Sequence, residues 1–324
     1  MDTGDDRRSA RFSELPRPRA LFRTISGLII VLLVAAGCTT APEVAPPRAY
    51  EYVPGGYGGY FAVDVAGNRD RFLSIADQLD ANVGAILNRT NEAAGAFNLF
   101  ASEAPQMAIV ATGEFPQCAV QFALRRDRTL TRERLELDGR RQLCFTREDN
   151  GLQIAIPENG RIYAGTESVP ALLAGELEAV SSDVSAVLAR VGTDEGPDAI
   201  LYLPDPGQNV LGRLGIDARG LPVMSVTLEL TADSVPFDAA DATDEPAGFV
   251  LAGAVEMQSA AQATLLSRVG RFFILALMRG LGLDVQAAID RVETGADGSA
   301  MVFRNIPVSE DEVVALIRRM AVSE

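Results

Sequence analysis

Apolar positions along the chain follow two rhythms, and from residue 59 onward the two take turns. Short alternating or continuous apolar runs predict strands over Gly59–Val65, Met107–Phe115, Ala199–Leu203, Val223–Leu230 and Phe249–Met257. Apolar positions three and four apart predict helices over Asn68–Leu79, 83–99, Pro116–Leu124, Gln208–Leu214 and Ser259–Leu281. Pro116 suits a first helical turn, where its missing N–H is not needed, and Ser259 suits a cap. Ser309 with Glu312 three residues later forms a capping box before a last helix. The runs Gln142–Thr146, Leu152–Ile156 and Arg161–Ala164 are separated by Asp149-Asn150-Gly151 and Glu158-Asn159-Gly160. Asn-Gly tolerates the positive φ of a tight hairpin turn, so these runs read as a three-stranded meander.

The order of elements repeats. A strand at 59–65 followed by a helix answers a strand at 199–203 followed by a short helix. The strand–helix unit at 107–124 answers the one at 249–267, and Asn159-Gly160 leading into a helix from Val169 answers Asp297-Gly298 leading into one from Ser309. The expected fold is α+β, with two related modules at 59–191 and 197–324 that look like an internal duplication, joined near Gly192–Pro197. The second module adds the strand at 223–230 and an acidic loop, and the helix at 83–99 has no counterpart. The segment Ser259–Leu281 is the most apolar element, but Arg268, Arg271 and Arg279 make it too charged to span a bilayer. It reads as the core helix of the second module, with an amphipathic partner surface as the alternative.

Composition narrows the chemistry. The 324 residues, 48% hydrophobic and 23% charged, suit a globular chain with real cores. There are 44 acids against 29 basic residues, all of them Arg, and neither His nor Trp. A net charge of −15 opposes phosphate backbones, which argues against nucleic acid as a partner. Without His, the commonest general base and zinc ligand is missing.

The first forty residues read differently. Six arginines precede the twelve-residue apolar run from Ile25 to Ala36, too short for the roughly 20 residues a spanning helix needs and suited to the core of a signal peptide. At its end Val34-Ala35-Ala36-Gly37-Cys38 resembles the lipobox of bacterial lipoproteins, small residues before a cysteine that receives acyl chains. The resemblance implies that residues 1–37 are removed as a signal peptide, that Val34, Ala35, Ala36 and Gly37 are read by the peptidase, and that Cys38 carries a covalent lipid. Two acyl chains would anchor the chain stably, since each buried CH₂ adds about 0.8 kcal/mol. Residues 38–58, rich in Pro, Gly and Ala, read as a flexible tether. The residue after the cysteine is Thr39 rather than Asp, which within that resemblance implies the outer membrane, facing the periplasm, with exposure at the cell surface left open. Without residues 1–37, which hold six Arg and four acids, the net charge falls from −15 to −17.

Several residues invite a chemical role, each beside a plainer one. Cys118 and Cys144 are an even pair in an exported chain and suggest a disulfide, worth about 3 kcal/mol on the chain-entropy model, or else two separate buried thiols. Arg125, Arg126, Arg128, Arg132, Arg134, Arg140 and Arg141 crowd one span; with acids interleaved, a solvated hairpin or helix face suits them better than a polyanion site. Asp238, Asp241 and Asp244 sit three apart in an acidic loop that lacks the spacing of a calcium loop, so a weak cation loop is the lesser reading. No nucleophile elbow, phosphate loop or dinucleotide fingerprint is present. The expectation is a non-enzymatic scaffold or binding subunit, with no cofactor beyond its lipid, held at the membrane and meeting an envelope protein or polymer. The alternatives are a hydrolase working through paired carboxylates and a lipoprotein that binds a small ligand.

Overall fold

The computed structural model describes residues 48–79, 84–98, 106–137, 140–166, 169–206, 223–232, 248–281, 285–289 and 291–315. Cys38 and its lipobox, the helix expected at 208–214 and the loop with Asp238, Asp241 and Asp244 lie outside these residues. The strands are β1 (Gly59–Asp64), β2 (Thr90–Asn98), β3 (Gln106–Gly113), β4 (Leu130–Leu137), β5 (Arg140–Arg147), β6 (Gln153–Glu158), β7 (Arg161–Gly165), β8 (Ala199–Pro204), β9 (Val223–Ala232), β10 (Gly248–Met257), β11 (Glu293–Asp297) and β12 (Ala300–Ser309). The helices are α1 (Arg69–Gln78), α2 (Gly84–Leu87), α3 (Gln117–Arg126), α4 (Val169–Ala174), α5 (Ser182–Leu188), α6 (Ala260–Leu281) and α7 (Val285–Ala288), with a further helical stretch at 310–315.

All the strands join one antiparallel sheet in the order β11-β12-β10-β9-β8-β1-β2-β3-β7-β6-β5-β4. The fold is α+β, but the two expected modules are not separate bodies. β1 pairs directly with β8, Tyr60 opposite Tyr202 and Val63 opposite Ala199, so a single sheet runs through both. Outward from that seam, β1-β2-β3-β7-β6 on one side and β8-β9-β10-β12-β11 on the other follow the same scheme, with α3 and α6 in corresponding places. The hairpin β4–β5 is extra, inserted between α3 and β6.

Register shows which helices share a side. Ile162, Ala111, Ala93, Val63, Ala199, Leu230 and Leu251 stand opposite one another in turn across seven strands, so their side chains point to one face. α3 packs there through Val120, Ala123 and Leu124 onto Ile162, Ile154 and Phe145. α6 packs on the same face through Ala263, Leu266, Ile274 and Met278 onto Val255, Met301 and Phe303. The opposite face carries Tyr60, Ala62, Ala94, Ala96, Val110, Tyr163 and Ile200, covered by α4, α5 and the segment around Ala49 and Val53.

Three expectations change here. The helix expected at 83–99 is only the turn α2 before β2, a strand of small residues with Ala94, Gly95 and Ala96 all buried. Helix propensity gives way to packing: a Cβ on Gly95 would come within 2.6 Å of the Ala108 carbonyl oxygen and of the Phe61 ring. The tether does not reach residue 58. Ala49–Tyr52 form a 3-10 turn whose Ala49 is buried with Val53, and Pro54 bridges to Ala179. Finally, α6 is the core helix of this half on one side only: it buries Ala263, Leu266, Ile274 and Met278, while among the described residues Leu265, Val269 and Phe272 stay exposed.

The meander β5–β6–β7 and the strands β1, β3, β8, β9 and β10 fall where the pattern placed them. Gly160 adopts φ +83° in the β6–β7 turn and Gly298 φ +57° in the β11–β12 turn, conformations that side chains disfavour. The capping box at Ser309 is reciprocal: the Ser309 N–H donates to Glu312 at 2.8 Å, and the Glu312 N–H donates to the Ser309 hydroxyl at 3.2 Å.

Candidate functional site

Ser259 opens α6, its hydroxyl accepting from the Gln262 N–H at 3.4 Å. Gly270 lets the helix lie close on β11 and β12, since a Cβ there would sit 3.0 Å from the Met301 sulfur and 3.3 Å from Thr294. The Thr294 hydroxyl donates to the Ser267 carbonyl at 3.2 Å, and the Arg271 guanidinium donates to the carbonyl of Ile289. The helix is thus held firmly on the sheet with its orientation fixed. Part of what it turns outward is apolar: Leu265 is 66% exposed, Val269 50% and Phe272 76%. These residues fall at i, i+4 and i+7, one stripe on one side of a helix.

The charge on this helix is one-signed. No Asp or Glu occurs from Ser259 to Leu281 in a chain of net charge −15, while Arg268, Arg271 and Arg279 are exposed beside the stripe. α3, in the corresponding place on the same face, repeats the composition: it has no acid, Phe122 is half exposed, and the Arg126 guanidinium lies 4.3 Å above the Phe122 ring. Its start is pinned by the Gln117 side chain, which donates to the carbonyls of Ile156 at 2.9 Å and Pro157 at 2.8 Å. An exposed apolar stripe flanked by arginines is a surface suited to a membrane interface or to another protein.

The sequence carried this signal only in part. Apolar residues around much of α6 suggested a buried helix, whereas an acid-free, Arg-bearing helix with apolar residues on two sides also describes one with a covered side and an interfacial side.

The expected disulfide is not formed. Cys118 is an exposed thiol on α3 and Cys144 a buried one on β5. Cys144 packs with the cluster on the opposite face of the sheet from α3, so the sheet itself stands between them. Burial pushes the Cys144 thiol up to about 11 from its ordinary 9.0, with Glu133 adding to the shift. The arginine-rich span forms α3's end and the β4–β5 hairpin, where Arg132, Glu133, Arg134 and Glu136 are exposed at the sheet edge.

Two carboxylates do stand side by side. Asp64 and Glu92 are directly opposite across β1 and β2, but Arg48 bridges to Glu92 with Nε 2.7 Å from Oε2 and donates to the Val191 carbonyl. Asp64 accepts from the Gly67 N–H at 3.1 Å, and nearby Asn68 donates to Asp198 at 2.6 Å. Burial lowers the Arg48 pKa, and the hydrogen bond and charge of Glu92 more than offset it, so the guanidinium is held above its ordinary range. These groups stitch the centre of the sheet to the start of the folded body. A second stitch is Arg161, whose guanidinium lies 3.7 Å above the Tyr52 ring and 2.5 Å from Glu158. Among the described residues no cluster of three or more His, Cys, Asp or Glu is arranged to hold a metal ion, and no helix is long and apolar enough to cross a membrane.

No protein-family model matches the chain, and no curated protein sequence matches it. Solved structures do. Crystal form III of TP0453 is similar with a TM-score of 0.57 at 14% identity, covering 85% of this chain and 99% of that one. Form I is similar with a TM-score of 0.55 at 14% identity, over 85% and 98% of the two chains. Form IV gives 0.54 at 14% identity, over 84% and 97%. The chain therefore shares its architecture with TP0453 over most of both lengths, at an identity that speaks for the fold alone.

Proposed function

We propose that this protein is a lipid-anchored binding subunit of the bacterial envelope, without catalytic activity, that lies against the bilayer through the face bearing α6. The observation that carries the reading is the exposed stripe of Leu265, Val269 and Phe272 on an acid-free helix with three arginines. The lipobox resemblance at Cys38 supplies the anchor on Cys38, and Thr39 supports the outer membrane, facing the periplasm, as its place. At Asp64 and Glu92 the paired-carboxylate alternative loses support, because Arg48 already engages Glu92. The matching strand order on the two sides of the β1–β8 seam supports an internal duplication, with β4–β5 as a later insertion.

The energetics are sufficient for a peripheral contact. Fully burying a Leu, Val or Phe side chain contributes about 1.5–3 kcal/mol, so the exposed parts of these three offer roughly 3–6 kcal/mol before losses of motion. Each Arg near an anionic surface adds about 1 kcal/mol. The test is co-sedimentation of the chain from Thr39 onward, without its lipid, with vesicles of phosphatidylglycerol or of phosphatidylcholine. The expected result is binding to the anionic vesicles, weakened at least tenfold by Leu265→Ser with Phe272→Ser. Equal sedimentation of the two forms would remove the α6 face from the reading.

A further inference from the structure

The two edges of the sheet are built differently. β11 is five residues long, carries Glu293 and Asp297 at its ends and has Gly295 in its middle. Very short edges resist pairing with another chain. β4, at the other edge, is eight residues long with neither Gly nor Pro, and among the described residues no strand lies beyond it. Among the described residues no strand pairs with its outward N–H and C=O groups, and its side chains alternate in sign: Arg132, Glu133, Arg134, then Glu136 past Leu135, the four charged ones all exposed. Leu130 packs with α3 and Leu135 with the cluster on the opposite face, so Arg132, Arg134 and Glu136 share the α3 and α6 side while Glu133 and Leu135 share the other.

We propose that β4 pairs antiparallel with β4 of a second copy of this chain, about a two-fold axis normal to the sheet and centred on Leu135. Such an axis sets positions equally spaced about one central residue opposite each other. Centred on Arg132, Glu133, Arg134 or Glu136, it would put like charges face to face, which is destabilising. Centred on Leu135 it puts leucine against leucine on one face. On the other it puts Arg134 opposite the partner's Glu136, and by symmetry Glu136 opposite the partner's Arg134. The extra hairpin β4–β5 thereby gains a use that the second half of the sheet, which lacks it, has no means to provide. The ladder is short, so the dimer is a weak one of the kind that small interfaces give. Because the axis is normal to the sheet, α6 of both copies faces the same way. The pairing fits the membrane reading without resting on it.

The test uses the full mature chain in detergent, with Cys118→Ser so that no exposed native thiol from the described residues remains. Leu135→Cys is oxidised alongside Thr131→Cys, an exposed position on the same strand that this register holds about 27 Å from its own copy, eight residues at roughly 3.4 Å each. The expected result is a disulfide-linked dimer from Leu135→Cys and none from Thr131→Cys. In sedimentation, the chain with native β4 associates at tens of micromolar, Arg134→Glu weakens association at least tenfold, and Arg134→Glu with Glu136→Arg restores it. A chain that stays monomeric at those concentrations, equal cross-linking at the two positions, or failure of the double exchange to restore association would overturn the proposal.

Discussion

Replacing Arg48 with Met tests how the folded body begins. Arg48 is the first described residue, within a stretch whose composition reads as tether, yet its Nε lies 2.7 Å from Glu92, whose side chain is only 9% exposed. The other Glu92 oxygen, Oε1, is buried with no partner, so Arg48 is the group that offsets this carboxylate's charge. Removing one member of a buried pair costs about 3–5 kcal/mol, because the remaining charge stays in a poor dielectric. The Arg48 side chain is 37% exposed, so water can enter where it was, and the expected loss falls to about 2–3 kcal/mol, part of it from the stranded Val191 carbonyl. Urea unfolding followed by circular dichroism measures the change as a lower midpoint at unchanged slope. Adding Glu92→Gln to Arg48→Met removes the uncompensated charge and should recover all but about 1 kcal/mol. A loss under about 0.5 kcal/mol in Arg48→Met would mean that the segment is a tether after all, and a double variant no better than the single would mean that charge is not the cause.

Other outcomes follow from the same geometry. In the chain from Thr39 onward, one thiol should react promptly with a maleimide in the native state, that of Cys118, and a second only in denaturant, that of Cys144; prompt reaction of both would contradict the burial of Cys144. The folded-state pKa of Cys144 is raised from 9.0 to about 11, so the stability it contributes is fully present below pH 9 and lost as pH rises to about 11. That loss is on the order of 3 kcal/mol. Cys144→Ala should flatten this part of the pH profile, and an unchanged profile would assign the loss elsewhere. Gly253→Ala should destabilise by about 1–3 kcal/mol, since its Cβ would fall 2.4 Å from the Thr227 carbonyl oxygen and 2.5 Å from the Phe303 ring. Gly295→Ala, whose nearest neighbour is 3.7 Å away, should cost little, and equal melting temperatures for the two would refute the crowding argument.

The sequence was most readable where local rules are strict. Asn-Gly turns marked the β5–β6–β7 meander, and Ser309 with Glu312 marked a helix start, because turn and cap chemistry leave few alternatives. β2 was misread because Thr90–Asn98 is built from residues that favour helices or nothing, chosen for thinness between crowded neighbours. The β1–β8 seam was invisible because it joins residues about 140 apart and leaves no local mark. The end of the tether was hidden by its prolines and glycines, although Tyr50, Tyr52 and Tyr57, which pack against the core, were a signal that plain linkers lack. The outward stripe of α6 was legible as composition but not as direction, since the side a helix buries is decided by the sheet it lands on.

The seam between β1 and β8 also governs how the molecule comes into being. Until Ala199–Pro204 arrives, the strand Gly59–Asp64 has a partner on one flank only, and its Tyr60 to Val63 backbone waits unpaired. A half cut at Gly192–Pro197 would carry that bare apolar flank into water, as would its complement with Ile200 and Leu201. The two halves are thus joined less like beads on a string than like two leaves of one hinge-less panel. Damage to either side of the seam therefore bares an edge of the other.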